Sequence, residues 1–250
     1  MQKILGYLRK ACERYDMIAD GDMIAVGVSG GKDSLVLLKA LAEYRRFAPV
    51  SYGLQAVTVD MRLGGRDTDL SYITQLCAAL GVEHTVLPTD IGQVVFDVRK
   101  EPNPCSLCAR MRRGALLGET ERLGCNKLAL GHNNDDAVET FFMNLFNEGR
   151  IGCFSPVTRY PDRGLALIRP LVLAPEKAVI SCARRNGITP VKSGCPEDKH
   201  TAREEIKAWL TEREKSDRGF TVRISGALER GEIDGWRCGS GKQGNSPKMN

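Results

Sequence analysis

The chain has 250 residues, of which 42% are hydrophobic and 27% are charged, and its formal net charge is +5. These values are ordinary for a globular protein of one large or two small domains with a sizeable core. The mild basic excess permits nucleic-acid binding without requiring it.

Two features of the composition bear on location. No apolar run approaches the roughly 20 residues that a membrane span needs, and the start of the chain lacks the apolar segment of a signal peptide. The nine cysteines are an odd number, and a chain of this length does not need disulfides to fold. We therefore expect no membrane association, reduced thiols and a cytoplasmic location.

The first predicted element is an amphipathic helix within residues 2–18, where apolar side chains recur near one face. We expect this N-terminal helix to occupy residues 1–22 and a main domain to occupy residues 23–215. A C-terminal extension then covers residues 216–250 and ends in a Gly/Ser/Lys-rich, disordered segment.

Residues 23–38 predict a buried strand, a tight glycine turn and the start of a helix. A helix N-terminus binds anions through its open N–H groups and its dipole. Lys32 adds a positive charge, and the hydroxyls of Ser29 and Ser34 add donors, so the predicted ligand is a phosphate chain. The spacing fits neither G-x-x-x-x-G-K-[ST] nor G-x-G-x-x-G.

The string SGGKDS at residues 29–34 instead resembles the PP-loop of the N-type ATP pyrophosphatases. Members of that family cleave ATP to AMP and pyrophosphate. The resemblance implies that this loop holds the pyrophosphate part of ATP.

Further apolar runs at residues 54–59, 83–87 and 127–131 alternate with helical segments, without hairpin signals. This pattern predicts an α/β fold with a parallel sheet and helices on both faces. Ligands bind beyond the carboxyl ends of such strands, where the strand order reverses. The rule selects the loops after Val28, Val59 and Leu130.

The second of these loops is expected to face adenine or ribose, which makes Val57, Val59 and Asp60 candidates for ATP binding. An acidic residue that ends a strand is also a common turn former. Asp60 therefore has an ordinary structural explanation beside the functional one.

Cys105 and Cys108 form a C-x-x-C motif at the start of a helix predicted over residues 109–123. Two thiolates one helical turn apart are stabilised there by the dipole and by nearby arginines, including Arg112. The pair alone fits zinc, a redox dithiol or an iron–sulfur cluster. A zinc site usually needs a second close pair, and the other cysteines are scattered singly.

Cys195 differs from the other single cysteines because Gly194 and Pro196 flank it in a loop. Free cysteines are usually small buried hydrophobic residues, but a cysteine in such a loop is better explained as a ligand. A close pair and a distant third cysteine could hold three irons of a [4Fe–4S] cluster and leave the fourth iron open.

Residues 132–136 (HNNDD) follow the fourth predicted strand and precede a helix. Asp135 and Asp136 are most simply explained as N-capping residues. Two adjacent acids opposite a phosphate loop also suit Mg²⁺, which binds one or two carboxylates together with phosphate oxygens.

Four motifs together, S-G-G-K-D-S, C-S-L-C-A-R-x-R-R, G-H-N-x-D-D and G-C-P, resemble the tRNA 2-thiocytidine biosynthesis family. The resemblance implies a Rossmann-like fold of the HUP (adenine nucleotide alpha hydrolase-like) type. It also implies an enzyme that uses ATP, Mg²⁺ and a [4Fe–4S] cluster to replace the C2 oxygen of an anticodon-loop cytidine by sulfur. The implied partners are tRNA and a sulfur donor, either a cysteine desulfurase or free sulfide, and a homodimer is one option.

Carried over residue by residue, the resemblance implies three sets of site residues. The cluster ligands are Cys105, Cys108 and Cys195, and Asp135 is a ligand of Mg²⁺. The catalytic residues are Lys32, Asp33, Arg112 and Asp136. The ATP-binding residues are Ser29, Gly30, Gly31, Lys32, Asp33, Ser34, Val57, Val59, Asp60, Leu130, Gly131, His132, Asp135 and Asp136.

Two alternatives stay open. One is another PP-loop enzyme, such as a lysidine-type synthetase, an amide-forming ligase or a thiolase of the uridine branch. Uridine-branch thiolases carry extra zinc-finger cysteine pairs, which this chain lacks, so the cytidine branch is favoured. The other alternative is a non-catalytic module that binds nucleotides or RNA.

Overall fold

The computed structural model describes residues 1–99, 104–191, 195 and 202–237. The strands are β1 (Asp22–Gly27), β2 (Tyr52–Asp60), β3 (Glu83–Pro88), β4 (Lys127–Ala129), β5 (Val157–Tyr160) and β6 (Leu165–Ile168). The helices are α1 (Gln2–Tyr15), α2 (Lys32–Tyr44), α3 (Ser71–Ala79), α4 (Pro104–Arg122), α5 (Asn134–Glu148), α6 (Glu176–Arg185), α7 (Ala202–Ser216) and α8 (Phe220–Arg230). No helix in these ranges combines the length and the apolar character that crossing a membrane requires.

The strands form one sheet in the order β3-β2-β1-β4-β6-β5. Neighbours from β3 to β6 are parallel, as the alternation of strands and helices predicts. The order reverses between β1 and β4, because β2 lies on one side of β1 and β4 on the other. This is the crevice that the sequence pattern selects for a ligand.

Helices cover both faces of the sheet because the side chains of β1 alternate between two cores. Ile24 and Val26 join the larger core with buried residues of α1, α2 and α6, among them Leu8 and Leu38. Ala25 points to the other face and joins the smaller core beneath α4. The Rossmann-like α/β fold class is confirmed.

The expectation of a sheet without hairpins is wrong at one edge. β5 pairs with β6 in antiparallel register, for example Thr158 with Leu167, and the turn between them ends at Gly164 with φ 61°. Each strand has only four residues. Runs this short carry too little alternation to be recognised, although the P-D-R-G string between them is a turn signal.

The end of the described chain is part of the core. Trp236 is fully buried, and its ring meets Tyr15 of α1 edge-to-face at 6.3 Å. Its indole Nε1 donates a hydrogen bond of 2.9 Å to the backbone oxygen of Phe154. Residues 216–237, expected as an extension, thus close the fold over α1 and α5, while the Gly/Ser/Lys-rich end after Arg237 lies outside the described residues.

Replacing Trp236 tests this closure. Trp236→Ala empties a buried ring site and is expected to lower the free energy of unfolding by about 3–5 kcal/mol. Trp236→Phe keeps most of the packing but loses the hydrogen bond to Phe154, so a loss of about 1–2 kcal/mol is expected. Urea unfolding measures both values, and equal small losses would show that the end of the chain is not part of the core.

Candidate active site

A central cavity of about 480 Å³ opens at the carboxyl ends of β1, β2 and β4. Residues from separate parts of the chain line it. They are Gly27, Val28, Ser29, Asp33 and Ser34; Val57 and Val59; Ala109, Arg112, Arg113 and Leu116; Leu130, Gly131 and His132; and Asp136, Thr140, Phe154, Arg169 and Arg203.

The loop of residues 29–34 is organised by its own hydroxyl groups. Ser34 Oγ accepts a hydrogen bond from the Ser29 N–H (3.1 Å) and donates one to the Gly31 oxygen (2.9 Å). Gly30 has φ 82°, and an added Cβ would lie 3.0 Å from Val191 Cβ. Within the described residues, no side chain caps the N-terminus of α2, so its first N–H groups are available to an anion.

The loop after β4 packs directly against this phosphate loop. A Cβ on Gly131 would lie 2.9 Å from both the Asp33 carbonyl carbon and the Ser34 nitrogen. The Asn133 side-chain amide donates a 3.1 Å hydrogen bond to Asp33 Oδ1. The two loops therefore hold each other in place across the crevice.

Lys32 is held by carboxylates at the side of the loop. Its Nζ lies 3.0 Å from Asp33 Oδ2 and 2.9 Å from Glu176 Oε1, and Lys207 also binds Glu176 at 3.0 Å. Burial acts to lower the pKa of Lys32, but Glu176 and Asp33 outweigh it and raise the pKa above its usual value. Glu176 was not predicted, because an acid in the first turn of a helix gives no distinctive signal.

The start of α5 separates the two predicted acids. Asn133 is the N-cap, and Asp136 completes a capping box by accepting the Asn133 N–H at 2.8 Å. Asp136 lines the central cavity, and burial raises its pKa. Asp135 instead lines a second cavity, where its Oδ2 accepts the Glu176 N–H at 2.6 Å.

Asp60 forms a turn rather than a wall of the central cavity. Its carboxylate accepts hydrogen bonds from the Arg62 N–H and from the N–H and hydroxyl of Thr68. Burial acts to raise the pKa of Asp60, and these donors lower it below the usual value. The structural explanation therefore accounts for this residue, while Val57 and Val59 of the same strand do line the cavity.

Cys105 and Cys108 lie in the first turns of α4, two turns and one turn before Arg112. Cys108 Sγ lies 3.5 Å from Met61 Sδ. Burial raises the pKa of the Cys108 thiol; Arg112 opposes this effect, and the charges of Cys105 and Cys195 add to it. Cys105, Cys108 and Cys195 are thus close enough for their charges to interact, and the same helix α4 lines the central cavity through Ala109, Arg112, Arg113 and Leu116.

His132 and Arg169 meet at the far wall of the cavity. Arg169 follows β6, and its Nε donates a 3.3 Å hydrogen bond to His132 Nδ1. Burial, together with the charges of Arg169, Arg203 and Arg113, lowers the pKa of His132 to about 3. Arg169, Arg203 and Phe154 reach the site from distant segments and have no local motif, so sequence reasoning missed them.

Residues 6–214 match the PP-loop domain family. Over 219 residues the chain is 39% identical to a tRNA-cytidine(32) 2-sulfurtransferase from Geobacter sulfurreducens, covering 86% of this chain and 84% of that protein. It is 40% identical over 199 residues to the protein of the same name from Syntrophotalea carbinolica, with coverages of 79% and 76%. The chain belongs to the tRNA-cytidine(32) 2-sulfurtransferase family.

A solved structure has a similar fold. The U34-tRNA thiolase NcsA from Methanococcus maripaludis, described with its [4Fe-4S] cluster, superposes with a TM-score of 0.74 at 28% sequence identity. The match covers 91% of this chain and 78% of that chain. The PP-loop architecture of the sulfurtransferase family is thus shared with a thiolase that acts on a different tRNA nucleotide.

Gly131→Ala tests the contact between the two loops in this family member. The added methyl group must push the Asp33–Ser34 backbone away, so we expect a stability loss of about 1–3 kcal/mol and ATP binding at least about tenfold weaker. Gly118→Ala is the matched control, because Gly118 is exposed on α4 and an added Cβ meets nothing within 4 Å. Unchanged ATP affinity in Gly131→Ala, measured by equilibrium dialysis, would contradict the contact.

His132 gives a pH-dependent contribution to stability whose sign is fixed. Its folded pKa of about 3 lies below the ordinary value of 6.5, so between these pH values only the unfolded chain binds the proton. Stability is therefore lost as pH falls below 6.5, by at most about 1.4 kcal/mol per unit. Urea unfolding of His132→Gln should show a shallower loss than the wild type between about pH 7 and pH 5; parallel curves would refute a neutral His132.

Proposed function

We propose that this chain is an ATP-dependent tRNA sulfurtransferase that converts a cytidine of the anticodon loop to 2-thiocytidine. The observation that carries the proposal is that one cavity is lined both by the PP-loop and by the helix that begins with Cys105 and Cys108. In this arrangement the phosphate-binding loop and the cysteine-bearing helix act on one base bound in the cavity. Membership of the sulfurtransferase family supports the same reaction.

The chemistry begins with a poor leaving group. A carbonyl oxygen at C2 of a pyrimidine does not leave as oxide, so the oxygen attacks the α-phosphorus of ATP and pyrophosphate departs. The sulfur then forms a bond to C2, and the C2–O bond breaks with AMP as the leaving group. The base has to be unpaired for this chemistry, as it is in an anticodon loop.

The PP-loop residues carry the first half of this reaction. The open N–H groups at the start of α2 bind the pyrophosphate part, while Val57 and Val59 contact the nucleoside side. Arg112 lines the same cavity and stabilises negative charge that develops on the departing pyrophosphate. Lys32 contributes there after a phosphate oxygen replaces Glu176 as its partner.

The acids of the central cavity fit a magnesium ion better than Asp135 does. Asp33 and Asp136 both line the cavity, whereas the Asp135 carboxylate faces the second cavity and accepts the Glu176 N–H. We therefore propose Asp33 and Asp136 as the side chains that hold Mg²⁺ with the phosphate oxygens. Bound there, Mg²⁺ supplies charge neutralisation for the pyrophosphate leaving group.

Cys105, Cys108 and Cys195 fit a [4Fe–4S] cluster. No three His, Cys, Asp or Glu side chains in the described ranges are close enough to hold one metal ion, but a four-iron cluster is larger and its ligands stand further apart. The charges of Cys105 and Cys195 are felt at Cys108, and α4 directs its dipole at the pair. These three cysteines would hold the cluster, which would supply a binding site for the sulfur.

The remaining partners follow from the same reaction. The sulfur has to be supplied, and a cysteine desulfurase or free sulfide are the donors that we propose. Cytoplasmic location follows from the tRNA substrate and from reduced thiols. A homodimer is proposed only on the family resemblance.

The decisive experiment is mass spectrometry of tRNA nucleosides from cells with and without this gene. We expect 2-thiocytidine to disappear when the gene is deleted and to return with the wild-type chain. Loss of a thiouridine or of lysidine would support another PP-loop enzyme. No change in any nucleoside, together with no pyrophosphate release from ATP in the presence of tRNA, would support a non-catalytic module.

Two substitutions should separate the ATP chemistry from the cluster. Asp33→Asn removes a cavity carboxylate, so tRNA-dependent pyrophosphate release should fall at least about 100-fold, while iron content and visible colour stay unchanged. Cys105→Ala should lose iron and thiolation but keep ATP binding. Cys125→Ala is the control, because Cys125 is buried in the smaller core and should keep both. Joint loss of cluster and ATP binding in Asp33→Asn would mean that Asp33 is structural.

A further inference from the structure

Arg169 is a buried cation that interacts with neutral groups. The residue is 5% exposed, and its guanidinium donates hydrogen bonds to the Ser155 backbone oxygen, to Thr158 Oγ1 and to His132 Nδ1. In the part of the chain that the structure describes, no carboxylate forms an ion pair with it. Burial lowers the pKa of Arg169 to about 10, so it stays charged at neutral pH, at a cost to stability that calls for a function.

The hydrogen bond to His132 determines where the imidazole carries its proton. A guanidinium group only donates hydrogen bonds, so His132 Nδ1 has to accept. The proton of the neutral ring therefore lies on Nε2. Because His132 lines the central cavity, its single N–H is a candidate donor to a ligand bound there.

The charged groups around His132 favour the same neutral ring. Arg169 approaches from the end of β6, Arg113 from α4 and Arg203 from α7. Burial is the largest cause of the lowered His132 pKa, and the charges of these three arginines lower it further. The acids of the cavity, Asp33 and Asp136, are engaged elsewhere: Asn133 binds Asp33, and Arg203 binds Asp136.

Phe154 completes the arrangement. The Arg169 guanidinium carbon lies 4.8 Å from the centre of the Phe154 ring, and the His132 ring centre lies 5.0 Å from the same point. Both side chains therefore pack against the Phe154 ring, which restricts their rotation. A fixed ring orientation is what a hydrogen-bond donor needs in order to discriminate among bound atoms.

We propose that Arg169 is a positioning residue, which fixes His132 as a neutral imidazole whose Nε2–H donates to an acceptor oxygen of the bound reactants. The oxygen belongs either to the α-phosphate of ATP or to the target base. This second part rests on the proposed function. The first part, the protonation state and tautomer of His132, does not depend on the proposed function and can be measured on the protein without ATP or tRNA.

Nitrogen-15 NMR of histidine-labelled protein tests the first part. The chain has three histidines, so comparison with His132→Gln assigns the His132 signals. We expect a neutral ring with its proton on Nε2 throughout about pH 5 to pH 8. A proton on Nδ1, or titration near the ordinary pKa, would overturn the proposal.

Substitution of Arg169 tests the cause. Arg169→Met removes the donor and the charge, so the His132 pKa should rise towards its ordinary value, the Nδ1–H tautomer should appear, and tRNA thiolation should fall about tenfold or more. Arg169→Lys keeps a charged donor and should restore the Nε2–H signature in part. Unchanged His132 spectra in folded Arg169→Met, checked by thermal unfolding, would leave Arg169 with a packing role only and overturn the proposal.

His132→Phe identifies the acceptor, because phenylalanine keeps the ring and removes the donor. ATP affinity that falls about tenfold or more without tRNA indicates the phosphate. Unchanged ATP affinity with tRNA-dependent pyrophosphate release reduced to the same extent indicates the oxygen of the base. His132→Gln retains both an acceptor for Arg169 and a donor, and should recover part of the loss.

Activity that is equal in His132→Phe and wild type would overturn the second part of the proposal. Failure of the proposed function has a different signature. In that case the wild-type chain itself would form no 2-thiocytidine, while the His132 tautomer would still be observed by NMR.

Discussion

The close approach of Gly131 to the backbone of Asp33 and Ser34 is the constraint on which the site depends. It places the loop after β4 against the N-terminus of α2, at the point where the strand order reverses. His132 and Asp136, which line the cavity from the β4 side, follow Gly131 closely in the chain. A side chain larger than hydrogen at this point would separate the two halves of the crevice.

Charge is distributed unevenly around this crevice. On one side, Lys32 is neutralised by Asp33 and Glu176. On the other side, Arg169 has neutral partners, so an excess of positive charge remains in the cavity. A polyanion such as ATP or the backbone of tRNA supplies the missing negative charge.

The sequence allowed the PP-loop, the strand ends and the cysteine pair to be predicted, because each depends on residues that are close together in the chain. Glu176, Arg169 and Phe154 could not be predicted, because their importance comes from packing between segments that are far apart in sequence. Asp60 shows a different limit of prediction from sequence. Its position at a strand end suited ligand binding and turn formation equally, and only the hydrogen bonds from Thr68 and Arg62 favour the turn.

Trp236 supports the cavity wall from a part of the chain that is far from that wall in sequence. It lies near the end of the chain, and its indole donates to the backbone of Phe154, which lines the cavity. The wall that carries His132 and Arg169 therefore depends on a residue from a segment that does not itself line the cavity. A cut in the chain between Arg203 and Trp236 would therefore leave the phosphate loop in place and still remove a support of the opposite wall.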